Sequence, residues 1–137
     1  MLREMLKHWA DRYTNVVVAD AGLLALPARE RLSAVAKMVI KRRLASLDPA
    51  FTNWAKLDTE VARVVQDVVT LRLNFISNMI AELGYRGGVL ETKAAAYVVF
   101  ISSLANMFPG RSEDSLLELA EAFIADLLGE GAGSERI

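Results

Sequence analysis

Cysteine is absent from the 137-residue chain, and histidine occurs once, as His8. The first absence excludes disulfides and thiolate metal sites and matches the usual composition of a cytosolic protein. The second excludes a metal site built from several imidazoles. It also leaves Ser102, Ser103 and Ser115 without a histidine base in any plausible triad, so nucleophilic catalysis lacks its proton acceptor. The carboxylates Asp58, Glu60, Glu82 and Asp114 fall at helix caps or on polar faces and form no recognisable acid–base pair. The expectation is therefore a protein that is not an enzyme, with no cofactor and no metal.

An excess of either charge is missing too. Sixteen Lys and Arg stand against seventeen Asp and Glu, for a formal net charge of -1. A domain that grips DNA alone is usually basic, because phosphate neutralisation dominates its affinity. Arg29, Arg31, Lys37, Lys41, Arg42 and Arg43 do gather in one predicted helix, but no aromatic residue interleaves them, and they read as a solvated face. Glycine-rich phosphate loops are absent: Gly84, Gly87 and Gly88 follow a helical pattern, not a strand, and read as a helix stop. The longest apolar stretch, residues 94–108, is interrupted by Ser102, Ser103 and Asn106. A spanning helix needs about 20 mostly apolar residues. Residues 1–13 alternate charged and apolar positions and contain no signal-peptide core. No membrane partner and a cytoplasmic location are expected.

What the chain does have is apolar content, at 53%. That excess needs a cover beyond one small core, either a second subunit or a ligand. The length fits a single domain, which buries roughly two-thirds of its unfolded surface. Apolar residues recur at spacings of three and four nearly throughout, and no segment alternates, so the expectation is all-α with six helices. The first covers residues 1–18, with Leu2, Met5, Leu6, Trp9, Tyr13, Val16 and Val17 on one face and His8 off it. The second covers 27–47, opening on Pro27 and ending in cations that suit the helix dipole. The third covers 49–57, with Asp48 as its cap and Pro49 as its first residue. The fourth, capped by Asp58, covers 59–83 and ends at Gly84 in a left-handed conformation, with Tyr85 making the accompanying apolar contact. The fifth, 88–107, is apolar all round over residues 94–101, which predicts burial on every side, one of them by a second chain. The sixth, capped by Ser112, covers 112–128. Residues 1–129 form the domain, and 130–137 are expected to be a flexible tail.

Asp48-Pro49-Ala50-Phe51-x-x-Trp54-Ala55, Asp58-x-Glu60-Val61-Ala62-x-Val64-Val65, Leu71-Arg72-Leu73-x-Phe75-Ile76 and Glu82-Leu83-Gly84-Tyr85 together resemble the C-terminal domain of TetR-family transcriptional regulators. Leu2-Arg3-Glu4-Met5-Leu6 resembles the long helix that follows that family's DNA-binding unit. The resemblance runs over residues 1 to about 128. It implies a six-helix bundle with a pocket among its first five helices, for a small apolar or amphipathic effector. It also implies a homodimer formed by the last two helices as a four-helix bundle. The family's helix-turn-helix would precede residue 1 and is not in this sequence, so DNA would be reached only through that missing unit.

Arg72 is the most informative residue, because it falls at the centre of the apolar stripe of the fourth helix. A charge there needs a partner, either a polar or anionic ligand or a structural ion pair. With Arg72, the residues Trp9, Tyr13, Trp54, Phe75, Met79 and Tyr97 are candidates to line the effector pocket; aromatics at helical spacing serve equally as plain core. Val99, Phe100, Ser103, Leu117, Ala120, Ile124 and Leu128 are candidates for the dimer interface. Two functions follow. One is an effector-binding and dimerisation module. The other is a headless interaction protein that dimerises with itself or a relative and needs no ligand.

Overall fold

The computed structural model describes residues 2–130. They contain seven α-helices and no strand, so the all-α expectation holds. The first helix, α1 (Leu2–Tyr13), runs into a widened π turn at Thr14–Val18, where the Ala19 N–H donates to the Thr14 carbonyl five residues back. The predicted single helix over 1–18 is therefore broken at Thr14. A short helix that the periodicity missed, α2 (Ala21–Leu24), follows; Asp20 caps it by accepting from the Gly22 N–H. Four residues are too few to show a period, although Leu23 is buried.

Helix α3 (Ala28–Lys41) ends well before the expected residue 47. Arg43 takes a positive φ of 52°. The Leu44 N–H reaches the Val39 carbonyl and the Arg43 N–H the Ile40 carbonyl, the paired bonds of a Schellman stop. Leu44 and Val39 are both buried, which supplies the apolar contact that goes with that motif. Helix α4 (Asp48–Ala55) starts one residue early. Leu47 takes the cap position, no side chain caps this helix, and the Asp48 carboxylate is used elsewhere. Helix α5 (Thr59–Glu82) matches its prediction: Asp58 accepts from the Glu60 and Val61 N–H groups, and Gly84 ends the helix at φ 99°. Helices α6 (Gly87–Met107) and α7 (Glu113–Leu127) also match, with Ser112 accepting from the Ser115 N–H.

Helix α5 is the centre of the molecule, packing against α1, α3, α4 and α6, while α7 packs on α3 and α6. Two apolar clusters result. The larger joins Tyr13, Val17, α3, the C-terminal half of α5, α6 and α7 around residues such as Leu32, Ile76, Tyr97 and Ile124. The smaller joins Leu6 and Trp9 of α1, Phe51 of α4, and Val61 and Val68 of α5. Arg72 lies one helical turn past Val68 and one before Ile76, at the seam between them.

The C-terminal end of α7 is tied down. Tyr85 and Lys93 donate to the Leu128 and Leu127 carbonyls, where a helix favours donors and cations. Arg29 forms a bidentate pair with Glu130; the rest of the expected tail, residues 131–137, lies outside the described residues. Helix α6 is long and apolar enough to cross a membrane by length and composition alone, because it extends N-terminally beyond the 94–108 stretch, which by itself is too short. In the bundle its Tyr97 hydroxyl donates to the Leu32 carbonyl and its Asn106 amide to the Ala45 carbonyl.

Candidate functional site

Three helices meet at Asp48. Its position at the start of α4 points the carboxylate toward α5 and α1. Arg72 Nη1 donates to Asp48 Oδ2 at 2.7 Å and Nη2 donates to Oδ1 at 3.1 Å, a two-pronged carboxylate grip. Trp9 Nε1 donates to the same Oδ1 at 2.9 Å. The Arg72 guanidinium also lies 5.1 Å from the Tyr13 ring centroid and 5.8 Å from that of Trp9, within cation–π range. Trp9 in turn stacks on Phe51 of α4, and Tyr13 meets Phe75 of α5 edge-on. One carboxylate thus links α1, α4 and α5.

Arg72 is only 5% exposed. A buried charge of this kind is tolerated because it is paired and hydrogen-bonded. Its Nε remains buried with no acceptor among the described residues. Burial of the neighbouring Tyr13 hydroxyl raises its pKa, since ionisation would place a second charge in a desolvated site; the nearby Arg72 charge only partly offsets this.

Of the seven residues expected to line a pocket, the fold brings Trp9, Tyr13, Arg72 and Phe75 together at this junction. Trp54 is half-buried beside Phe51. Met79 and Tyr97 lie deeper, in the larger cluster, and burial raises the Tyr97 hydroxyl pKa as well. These side chains pack on each other. None of them borders either of two cavities at the surface. One cavity, of about 210 Å³, lies between the ends of α3 and α6 and the start of α7, walled by Val39, Ile40, Arg43, Ile101, Arg111 and Leu116 among others. The other is a broad, open groove beside Arg29, Lys37, Glu121 and Glu130. The role of Asp48 was missed because an Asp before Pro at a helix start satisfies the capping pattern by itself. The charge in the stripe at Arg72 was the available signal that a carboxylate had to face it.

The expected dimer residues divide. Val99 is 65% exposed, and Phe100, Ser103, Leu117 and Leu128 are partly exposed. Ala120 and Ile124 instead face the interior of their own chain, because α7 turns that side toward α3. Phe100 and Phe123 stack with centroids 4.1 Å apart, bridging α6 and α7. Thr92, Ala96, Val99, Ser103 and Met107 follow one another at spacings of three and four along the outer side of α6. Arg29 and Arg31 are held in ion pairs with Glu130 and Glu82, while Lys37, Lys41, Arg42 and Arg43 are exposed, as is His8. The Arg31 guanidinium holds the Glu82 carboxyl below its ordinary pKa. Among the described residues, no three His, Asp or Glu side chains converge in a way that could hold a metal.

Comparison with family models, curated proteins and solved structures yields no match to this chain.

Proposed function

We propose that the chain is the effector-binding and dimerisation module of a TetR-type transcriptional regulator. The observation that carries the reading is the Asp48 junction. It fastens α1, the helix that in such regulators leads from the DNA-binding unit, to α4 and α5 through one polar contact set. A small apolar or amphipathic ligand that spreads α4 from α5 loosens the hold on α1. Coupling to DNA arises only to the extent that the ligand prefers one setting over the other. The exposed side of α6, with its small and apolar residues, supports pairing with a second copy.

The packed interior where a pocket was expected favours a second reading, a helical interaction protein that dimerises without a ligand. Thermal shift against a panel of apolar and amphipathic compounds separates the two. A ligand at one hundred times its Kd stabilises by about 2.7 kcal/mol, and Arg72→Leu should alter that response. No shift with any compound contradicts the sensor reading. Light scattering should give twice the 15.1 kDa chain mass; a monomer at low micromolar concentration contradicts both readings.

A further inference from the structure

We infer that the cavity between α3, α6 and α7 is a binding site for a small apolar carboxylate, separate from the Asp48 junction. Val39 and Ile40 from α3, Ile101 from α6 and Leu116 from α7 give it an aliphatic part, beside the polar Ser46, Ser102 and Asn106. Arg43 and Arg111 stand in its walls against one acid, Glu113. Arg111 spends Nη1 on the Ser115 hydroxyl and lies over the Phe108 ring. Arg43 borders the cavity and makes no side-chain hydrogen bond or ion pair among the described residues. Two exposed arginines bordering a partly aliphatic cavity suit an anionic head on an apolar body, and the planar fork of arginine suits a carboxylate best.

Size narrows the class further. An apolar cavity of about 150 Å³ takes up benzene, and drug-sized ligands occupy roughly 300–1,000 Å³. At about 210 Å³ the site suits a molecule slightly larger than benzene, such as a ring or short chain bearing one carboxylate. The residues at the wall also matter for the rest of the fold. Ala45 and Ser46 border the cavity just before Asp48, and Asn106 holds the Ala45 carbonyl at 3.0 Å. An occupant here therefore steadies the segment that presents Asp48 to Arg72.

The test is calorimetric titration of the whole chain with benzoate and with benzyl alcohol, its neutral analogue. Benzoate should bind at least tenfold more tightly than benzyl alcohol. Arg43→Gln and Arg111→Gln should each weaken benzoate by about tenfold, the size of one charge-assisted hydrogen bond. Ala105→Phe, which fills the cavity from α6, should abolish binding while thermal melting shows the chain still folded. Methyl resonances of Ile101 and Leu116 should shift on titration, which locates the ligand without any substitution. The inference is overturned if benzoate fails to bind at millimolar concentration or benzyl alcohol binds equally well. It is also overturned if benzoate perturbs the Trp9 and Tyr13 rings instead of those methyls. Binding here does not require the proposed dimer, and light scattering on the same samples reports the oligomeric state independently.

Discussion

In the larger cluster, α3, α6, α7 and the C-terminal half of α5 meet mainly through apolar side chains, and the phenol buried among these helices, Tyr97, donates to a single backbone carbonyl. In the smaller cluster, α1, α4 and the N-terminal half of α5 meet through five buried residues, with an ion pair at its edge. The same helix, α5, serves both. Apolar burial is non-directional and accepts many small adjustments, whereas a forked ion pair fixes one geometry and is costly to leave half-made. Under the function proposed above, the larger cluster serves as the body that persists and the smaller one as the joint that responds.

The largest expected effect breaks the joint. Asp48→Ala leaves Arg72 charged and buried without its partner, and urea unfolding should show a loss of about 3–5 kcal/mol. Replacing both residues, with Asp48→Leu and Arg72→Met, should recover most of that loss; a double-variant loss equal to the sum of the two single-variant losses would mean that the pair does not act as a unit. In the larger cluster, Ile124→Ala should cost about 2–5 kcal/mol through the cavity it leaves, whatever the state of the joint. Tyr97→Phe should cost about 1–3 kcal/mol, because the Leu32 carbonyl loses its buried donor. Burial raises the Tyr13 and Tyr97 hydroxyls above their ordinary pKa of about 10. The unfolded chain then releases protons that the folded chain keeps. The stability tied to these groups is present below about pH 10 and is lost as pH rises toward the folded values. Phenolate absorbance of both residues should appear together with loss of helical circular dichroism, and early ionisation in the folded chain would contradict their burial. The smallest effect is Asp58→Ala, which removes the α5 cap and should cost about 1 kcal/mol in the same urea assay.

Long helices with ordinary signals were legible. Asp58, Ser112 and Gly84 mark the ends of α5 and α7 because their side chains, or the lack of one, serve only the local backbone. The end of α3 was not legible, since an arginine occupies the left-handed position that usually takes glycine. Nothing local to Arg43 forecasts that; the burial of Leu44 and Ala45 against the rest of the core holds it there. The π turn after Tyr13 is hidden for a related reason, since its five residues keep Tyr13 and Val17 inward much as an α-helix would. At the site, the sequence pointed to Arg72 and to the aromatics around it but not to Asp48. The partner lies 24 residues away across a loop, and no periodicity reports on a contact of that kind.

Native-state hydrogen exchange tests the division between the two clusters most directly. The amides of α4 and of α5 up to about Val68 should exchange through an opening of lower free energy than those of α3, α6 and α7, and Asp48→Ala should widen the gap. Uniform protection across all five helices, falling equally everywhere in the variant, would show one cooperative core and contradict a keyed joint at Asp48.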